Sequence, residues 1–213
     1  LDVPLRERNA LLLAAGYAPA YGEEPLDAAA MGAVAGALRR MLRQHEPFPA
    51  LVLDRYWNVL LTNDYAPRLF NRFVDLAARP RPRNLLHLMF DPAGMRPFIV
   101  NWEEVAAGLF DRVRREAVGH VLDAETEELL AALAAYPGVD PARLAGTRQA
   151  AALPMIPIRF RKDGQVLSYF SMVATVGTPG TVTAQELRLE CMFPADDETE
   201  ARHLALVGAS RDG

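Results

Sequence analysis

Residues 156–193, IPIRFRKDGQVLSYFSMVATVGTPGTVTAQELRLECMF, decide the fold. Ile156, Ile158 and Phe160 alternate with Pro157, Arg159 and Arg161, the period of two that marks a half-buried strand. Lys162-Asp163-Gly164 is a hairpin signal, because glycine supplies the positive φ that such a turn needs. Residues 166–176 then read as one long strand, and Gly177-Thr178-Pro179-Gly180 as a turn. In residues 187–193, Leu187, Leu189, Cys191 and Phe193 alternate with Arg188, Glu190 and Met192, giving a third strand. Thr183-x-x-Glu186 has the form of a capping box, but the period-two pattern after it argues against a helix there. Three strands with hairpin links make an antiparallel sheet.

Toward the N-terminus the pattern changes twice. Leu51-Val52-Leu53 and Trp57-Asn58-Val59-Leu60-Leu61 read as two more short strands around a turn at Asp54-Arg55-Tyr56. Residues 27–45 form a helix with Asp27 as its N-cap, and Met31, Val34, Ala35, Leu38, Met41, Leu42 and His45 share a face. Further helices are expected at 64–73, 84–90, 96–120 and from Asp123, with a last short turn at Asp140-Pro141. Arg79-Pro80-Arg81-Pro82-Arg83 is a loop, since alternate prolines forbid regular helix. A final helix covers 197–207, with Asp196 and Asp197 as cap residues. Residues 1–22 are a helix and its exit, with Gly16 as a C-cap glycine, and Gly22-Glu23-Glu24-Pro25 a linker. The economical assembly is an α+β fold: a five-stranded antiparallel sheet covered on one face by helices.

The chain has 213 residues and 51% apolar composition, enough for one medium domain with a substantial core. The first residue is Leu1, which fits a fragment of a longer product. No run of about 18 apolar residues implies a membrane span, and there is no signal-peptide pattern. The formal net charge of −4 does not suit a self-sufficient nucleic-acid binder. One cysteine, Cys191, rules out an internal disulfide and fits a reducing cytoplasm.

No catalytic, metal or cofactor motif is legible. His45, His87, His120 and His203 lack partners at metal-ligand spacing, which leaves structural or surface roles. There is no G-x-S-x-G elbow, Walker A run or H-E-x-x-H. Gly177-Thr178-Pro179-Gly180 lacks the lysine and helix of a phosphate loop. Two features are less bland. Aromatic and methionine side chains at 98–110 and 169–172 form either ordinary core or a pocket wall. Arg112-Val113-Arg114-Arg115-Glu116 is either a solvated face, with Arg112 and Glu116 paired at i,i+4, or an arginine at a pocket rim that holds a carboxylate. Arg112 and Arg114 flank the apolar face.

Several stretches carry a resemblance. LDVPLRERNALLLAAGYAPAY (1–21) resembles the final helix of an Xre-type helix-turn-helix domain and its exit. HEPFPALVLDRYWNVLLTN (45–63), FIVNWEEVA (98–106), RVRREA (112–117) and LSYFSMVATVGTPGTVTAQELRLECMFPAD (167–196) resemble the MmyB-like ligand-binding domain, in the same order. The resemblance implies a PAS-like module at 27–208 following the end of a DNA-binding domain at 1–22, whose major-groove helices are absent. It implies a cytoplasmic transcription regulator that binds a fatty acid or similar amphiphile between sheet and helices, modulates DNA binding by an Xre-type domain, and forms a possible homodimer. Trp57, Phe98, Trp102, Leu109, Phe170 and Met172 are the expected wall residues, and Asn63, Asn101 and Arg114 the expected polar contacts. The alternatives are a dimerisation module with a filled core and, more remotely, an acyl-chain hydrolase.

Overall fold

A computed structural model describes residues 3–118, 123–147 and 157–208. Helix α1 (Leu5–Ala14) ends where Gly16 takes φ 83°, which lets the Tyr17 and Gly16 amides return to the carbonyls of Leu12 and Leu13. The chain then folds back on α1. The Asn9 amide donates to Tyr21 O at 2.7 Å and accepts from the Ala20 and Tyr21 amides. The expected linker is pinned as well, because Val182 N donates to Gly22 O at 2.9 Å.

Helix α2 (Gly32–Gln44) follows a 3-10 turn at Ala29–Met31, so Asp27 does not cap it; Met31 precedes it without a side-chain cap. Strands β1 (Ala50–Leu53) and β2 (Val59–Thr62) lead to α3 (Tyr65–Asn71) and α4 (Leu85–Phe90). Asn84 caps α4 by accepting from the amides of Leu86 and His87. The helix expected at 96–120 is two pieces, a 3-10 turn at Arg96–Phe98 and α5 (Trp102–Val118). The break has a tertiary cause: Ile99 bridges Phe160, and Val100 N donates to Arg159 O at 2.8 Å. His120 and Ile156 lie outside the described residues.

Asp123 caps α6 (Ala124–Ala134), and Asp140 accepts from Ala142 N at the start of α7 (Pro141–Thr147). Strands β3 (Ile158–Lys162) and β4 (Gln165–Ala174) meet at Asp163 and Gly164, which take φ 50° and 77° as a two-residue hairpin requires. A short helix, α8 (Val182–Glu186), stands where the strand pattern argued against one. Its cap is Thr181, which accepts from Ala184 N, and not Thr183. Strand β5 (Arg188–Pro194) and α9 (Asp197–Val207), capped by Asp196, complete the chain.

All sheet pairings are antiparallel, in the order β2-β1-β5-β4-β3, so the fold is the expected α+β, PAS-like one. The last strand in sequence occupies the centre. Leu51 pairs Glu190, Ser171 pairs Met192 and Ile158 pairs Tyr169, all facing the large core under α3 to α6. Val52, Leu189 and Cys191 face the other way, where Leu38 and Leu42 of α2 pack on them. Helices therefore cover both faces of the sheet, because the apolar stripe of α2 needs a partner of its own. Among the described residues, no helix is long and apolar enough to cross a membrane.

Candidate functional site

A half-open cavity reaches into the large core. Between α3, α4 and α5 on one side and the sheet on the other lies a cavity of about 350 Å³. Phe70, Leu85, Met89, Val105 and Leu109 line it from the helices, and Leu51 and Met192 from the sheet. Its polar lining is Glu104, Arg112 and Arg115 of α5 with Ser171 and Glu190 of the sheet. An apolar pocket with a few polar groups is the ordinary form of a small-molecule site.

One side of this cavity is built from paired charges. Arg112 Nη1 meets Glu190 Oε1 at 2.6 Å, and its Nε donates to Glu116 Oε1 at 2.8 Å, the i,i+4 pair the sequence allows. Arg188 pairs with the other Glu116 oxygen, and its Nη2 donates to the turn carbonyls of Asp54 and Arg55 at 2.7 and 3.2 Å. Burial alone would lower the Arg112 pKa, but Glu190 and Glu116 outweigh it and hold the guanidinium charged. Two cations and two carboxylates balance, which is the condition for keeping charge inside a core.

Trp57 is the hub of this side. It is 1% exposed and sits at φ 68°, a left-handed conformation costly for a bulky side chain. Asp54 holds that turn: its carboxylate accepts from Tyr56 N, Asn58 N and Asn58 Nδ2. The guanidiniums of Arg112 and Arg188 lie 4.5 and 4.7 Å from the indole ring centroid, within cation–π range. Trp57 also borders a second compartment of about 290 Å³, walled by Arg55, Val173, Gln185, Glu186 and Arg188 among others.

The expected site residues divide. Trp57 and Leu109 line the large cavity. Phe170 borders it, with its ring stacked on Phe193 at 5.5 Å. Met172 does not line it; it pairs with Cys191, whose side chain packs on the α2 face, and is 60% exposed. Phe98 packs edge-on to Phe73, and Trp102 edge-on to Phe90, both away from the lining. Asn63 ties Ala50 N and Ala66 N to the carbonyls of Leu42 and Phe48. Asn101 ties α5 to β3 through Arg159 N and Pro157 O. Arg114 is exposed, with its guanidinium 5.4 Å from the Phe110 ring centroid. The arginines at the cavity are its neighbours Arg112 and Arg115.

Sequence reasoning passed over Arg188, Glu190, Arg55 and Glu186. The available signal was Arg188-x-Glu190 in a strand that supplies the centre of the sheet; these residues are 8% and 4% exposed. Among the described residues no group of three or more His, Cys, Asp or Glu could hold a metal. Burial pushes the Cys191 thiol pKa up, away from the reactive thiolate.

The family model described as the MmyB-like transcription regulator ligand binding domain matches residues 34–206. No curated protein matches the chain. The matched span holds the sheet, the large cavity and the charged wall together, and the chain belongs to the family of MmyB-like transcription regulator ligand binding domains.

Proposed function

We propose that this domain senses a fatty acid or similar amphiphile whose tail occupies the 350 Å³ cavity, and that binding modulates DNA contacts made by an Xre-type domain to which residues 1–22 belong. The observation that carries the reading is the unfilled apolar space between sheet and helices. A tail gains about 0.8 kcal/mol per buried CH₂, which offsets the cost of ordering it. The head group belongs at Arg115, whose side chain is 67% exposed and pairs with Asp111 at 3.1 Å, and not at the interior Arg112.

A route to the N-terminal helix supports the regulatory part. Arg6 of α1 grips both carboxylate oxygens of Glu186, at 2.7 and 3.0 Å, and Leu5 N donates to Gln185 Oε1 at 2.7 Å. Glu186 also pairs with Arg55 at 3.0 Å, and Arg55 with Asp123 at 2.7 Å. A ligand shifts such an arrangement only by preferring one state of it.

Native mass spectrometry of protein purified from cells tests the reading, followed by melting with sodium dodecanoate. Saturation at about 100 times Kd stabilises by about 2.7 kcal/mol, roughly 5–10 °C for a domain of this size. Ser171→Phe, which fills the cavity from the sheet, should abolish the shift. A bare mass together with an unchanged melting temperature in the native chain rejects the proposal. A second reading, a module that mainly dimerises, is favoured by an apolar cleft of about 360 Å³ between α2 and the sheet. Sedimentation would show a dimer whose strength is indifferent to dodecanoate.

A further inference from the structure

Gln185 and Glu186, which hold α1, do not line the tail cavity. One short turn reaches both places. Residues 54–58 carry Trp57, which lines the tail cavity, and two positions earlier Arg55, whose Nη1 donates to Glu186 Oε1 at 3.0 Å. That same oxygen accepts from Arg6 Nε of α1 at 2.7 Å. The Arg55 and Glu186 side chains are 14% and 15% exposed, so solvent screens the pair little.

The turn is built to move as one piece. Trp57 N donates to Asp54 O and Asp54 N to Asn58 O, both at 3.1 Å. The Asp54 carboxylate accepts from the Tyr56 and Asn58 amides at 2.9 and 2.8 Å. Arg188 adds a second link, since its guanidinium lies against the Trp57 ring and its Nη2 donates to the Asp54 and Arg55 carbonyls. The position of the indole is therefore passed to Arg55 both through the backbone and through Arg188. At φ 68° Trp57 is held by these neighbours and not by its own backbone preference.

We propose that the 54–58 turn is the relay between ligand and α1: a tail packed on Trp57 fixes the turn, keeps Arg55 on Glu186 and so tightens the docking of Arg6 and α1. This inference rests on the amphiphile reading and gives it a direction, in which the occupied state is the one with α1 docked. A ligand that prefers the intact network shifts α1 docking by that preference.

Hydrogen exchange read by mass spectrometry in the native chain, with and without saturating sodium dodecanoate, tests the relay. Exchange in α1 should slow about 5-fold, the lower end of ordinary coupling between sites. Arg55 does not line the tail cavity, so Arg55→Met should still give a dodecanoate melting shift while the α1 response disappears. Arg55→Gln, a second variant without the charge, should do the same. If dodecanoate shifts the melting temperature of the native chain but leaves α1 exchange unchanged or faster, the relay is overturned and the amphiphile reading stands. A full α1 response in both variants also overturns it, because Arg55 would then be merely structural. Absence of any melting shift in the native chain removes the amphiphile reading and the relay with it.

Discussion

Arg112 and Glu190 meet at 2.6 Å beside the apolar cavity and join α5 to the central strand through a buried ion pair. Glu190 is 4% exposed, and that partner is its counter-charge inside the fold. Arg112→Ala should cost about 3–5 kcal/mol in urea unfolding, because an uncompensated carboxylate remains inside. Arg112→Met with Glu190→Leu together should recover most of the loss, since Glu116 keeps Arg188. A double variant as unstable as the single one would show that the pair acts through shape and not charge.

Arg115 and Arg114 separate recognition from mere proximity. Arg115→Ala should weaken dodecanoate binding about 2–5-fold, the scale of an exposed ion pair, and leave methyl dodecanoate unaffected. Arg114→Ala should change neither, because its side chain stands over Phe110 outside the cavity lining. Titration calorimetry with both ligands reads this, and equal losses for acid and ester would remove Arg115 from the head-group role.

Glu186 is the common partner of Arg6 and Arg55. Glu186→Gln keeps the shape and removes the charge. Hydrogen exchange in α1 should speed up about 5-fold, on the order of 1 kcal/mol, less than a buried charged bond because Arg6 is partly in solvent. A helix of this length is marginal alone, so its protection reports docking. Unchanged exchange in α1 would mean that Leu5 and Asn9 suffice to hold it.

His203 gives the pH dependence. Its Nε2 lies 2.9 Å from Pro47 O, which can only accept, so Nε2 carries the proton and Nδ1 accepts from the Tyr169 hydroxyl at 2.7 Å. Burial lowers its pKa, and burial lowers those of His45 and His87 as well. The unfolded chain takes up these protons below about pH 6.5 while the folded one resists. Stability is therefore complete above that pH and falls as pH drops toward the folded values. Melting between pH 7.5 and 5.5 should show this fall, and His203→Gln should make it shallower, with a remainder from His45 and His87. An identical slope in the variant would clear His203 of the effect.

The hairpin at Asp163-Gly164, the helix start at Asp123, the cap at Asp196 and the Gly16 exit were legible because each is settled by hydrogen bonds a few residues apart. The start of α2 and the break before α5 were not. Both answer to distant partners: the second face of the sheet in one case, Phe160 in the other. The cavity lining was legible in part, through Trp57, Leu109 and Phe170. Two positions along a helix turn a side chain by about 200°, so Arg112 reaches the cavity lining and Arg114 stands outside it. Met172 read as pocket wall because a strand pattern shows two faces without showing which one meets the cavity.

By itself the sequence determined the α+β class and the five strands, since periodicity and turn chemistry act between near neighbours, and its quoted stretches carried the family likeness. Only the tertiary structure decided that β5 lies at the centre of the sheet, and that its charged face, Arg188 and Glu190, turns inward to meet Arg112 and Glu116. A buried charge is stable only beside its counter-charge, and Arg188 and Glu190 find theirs on α5, far away in the chain.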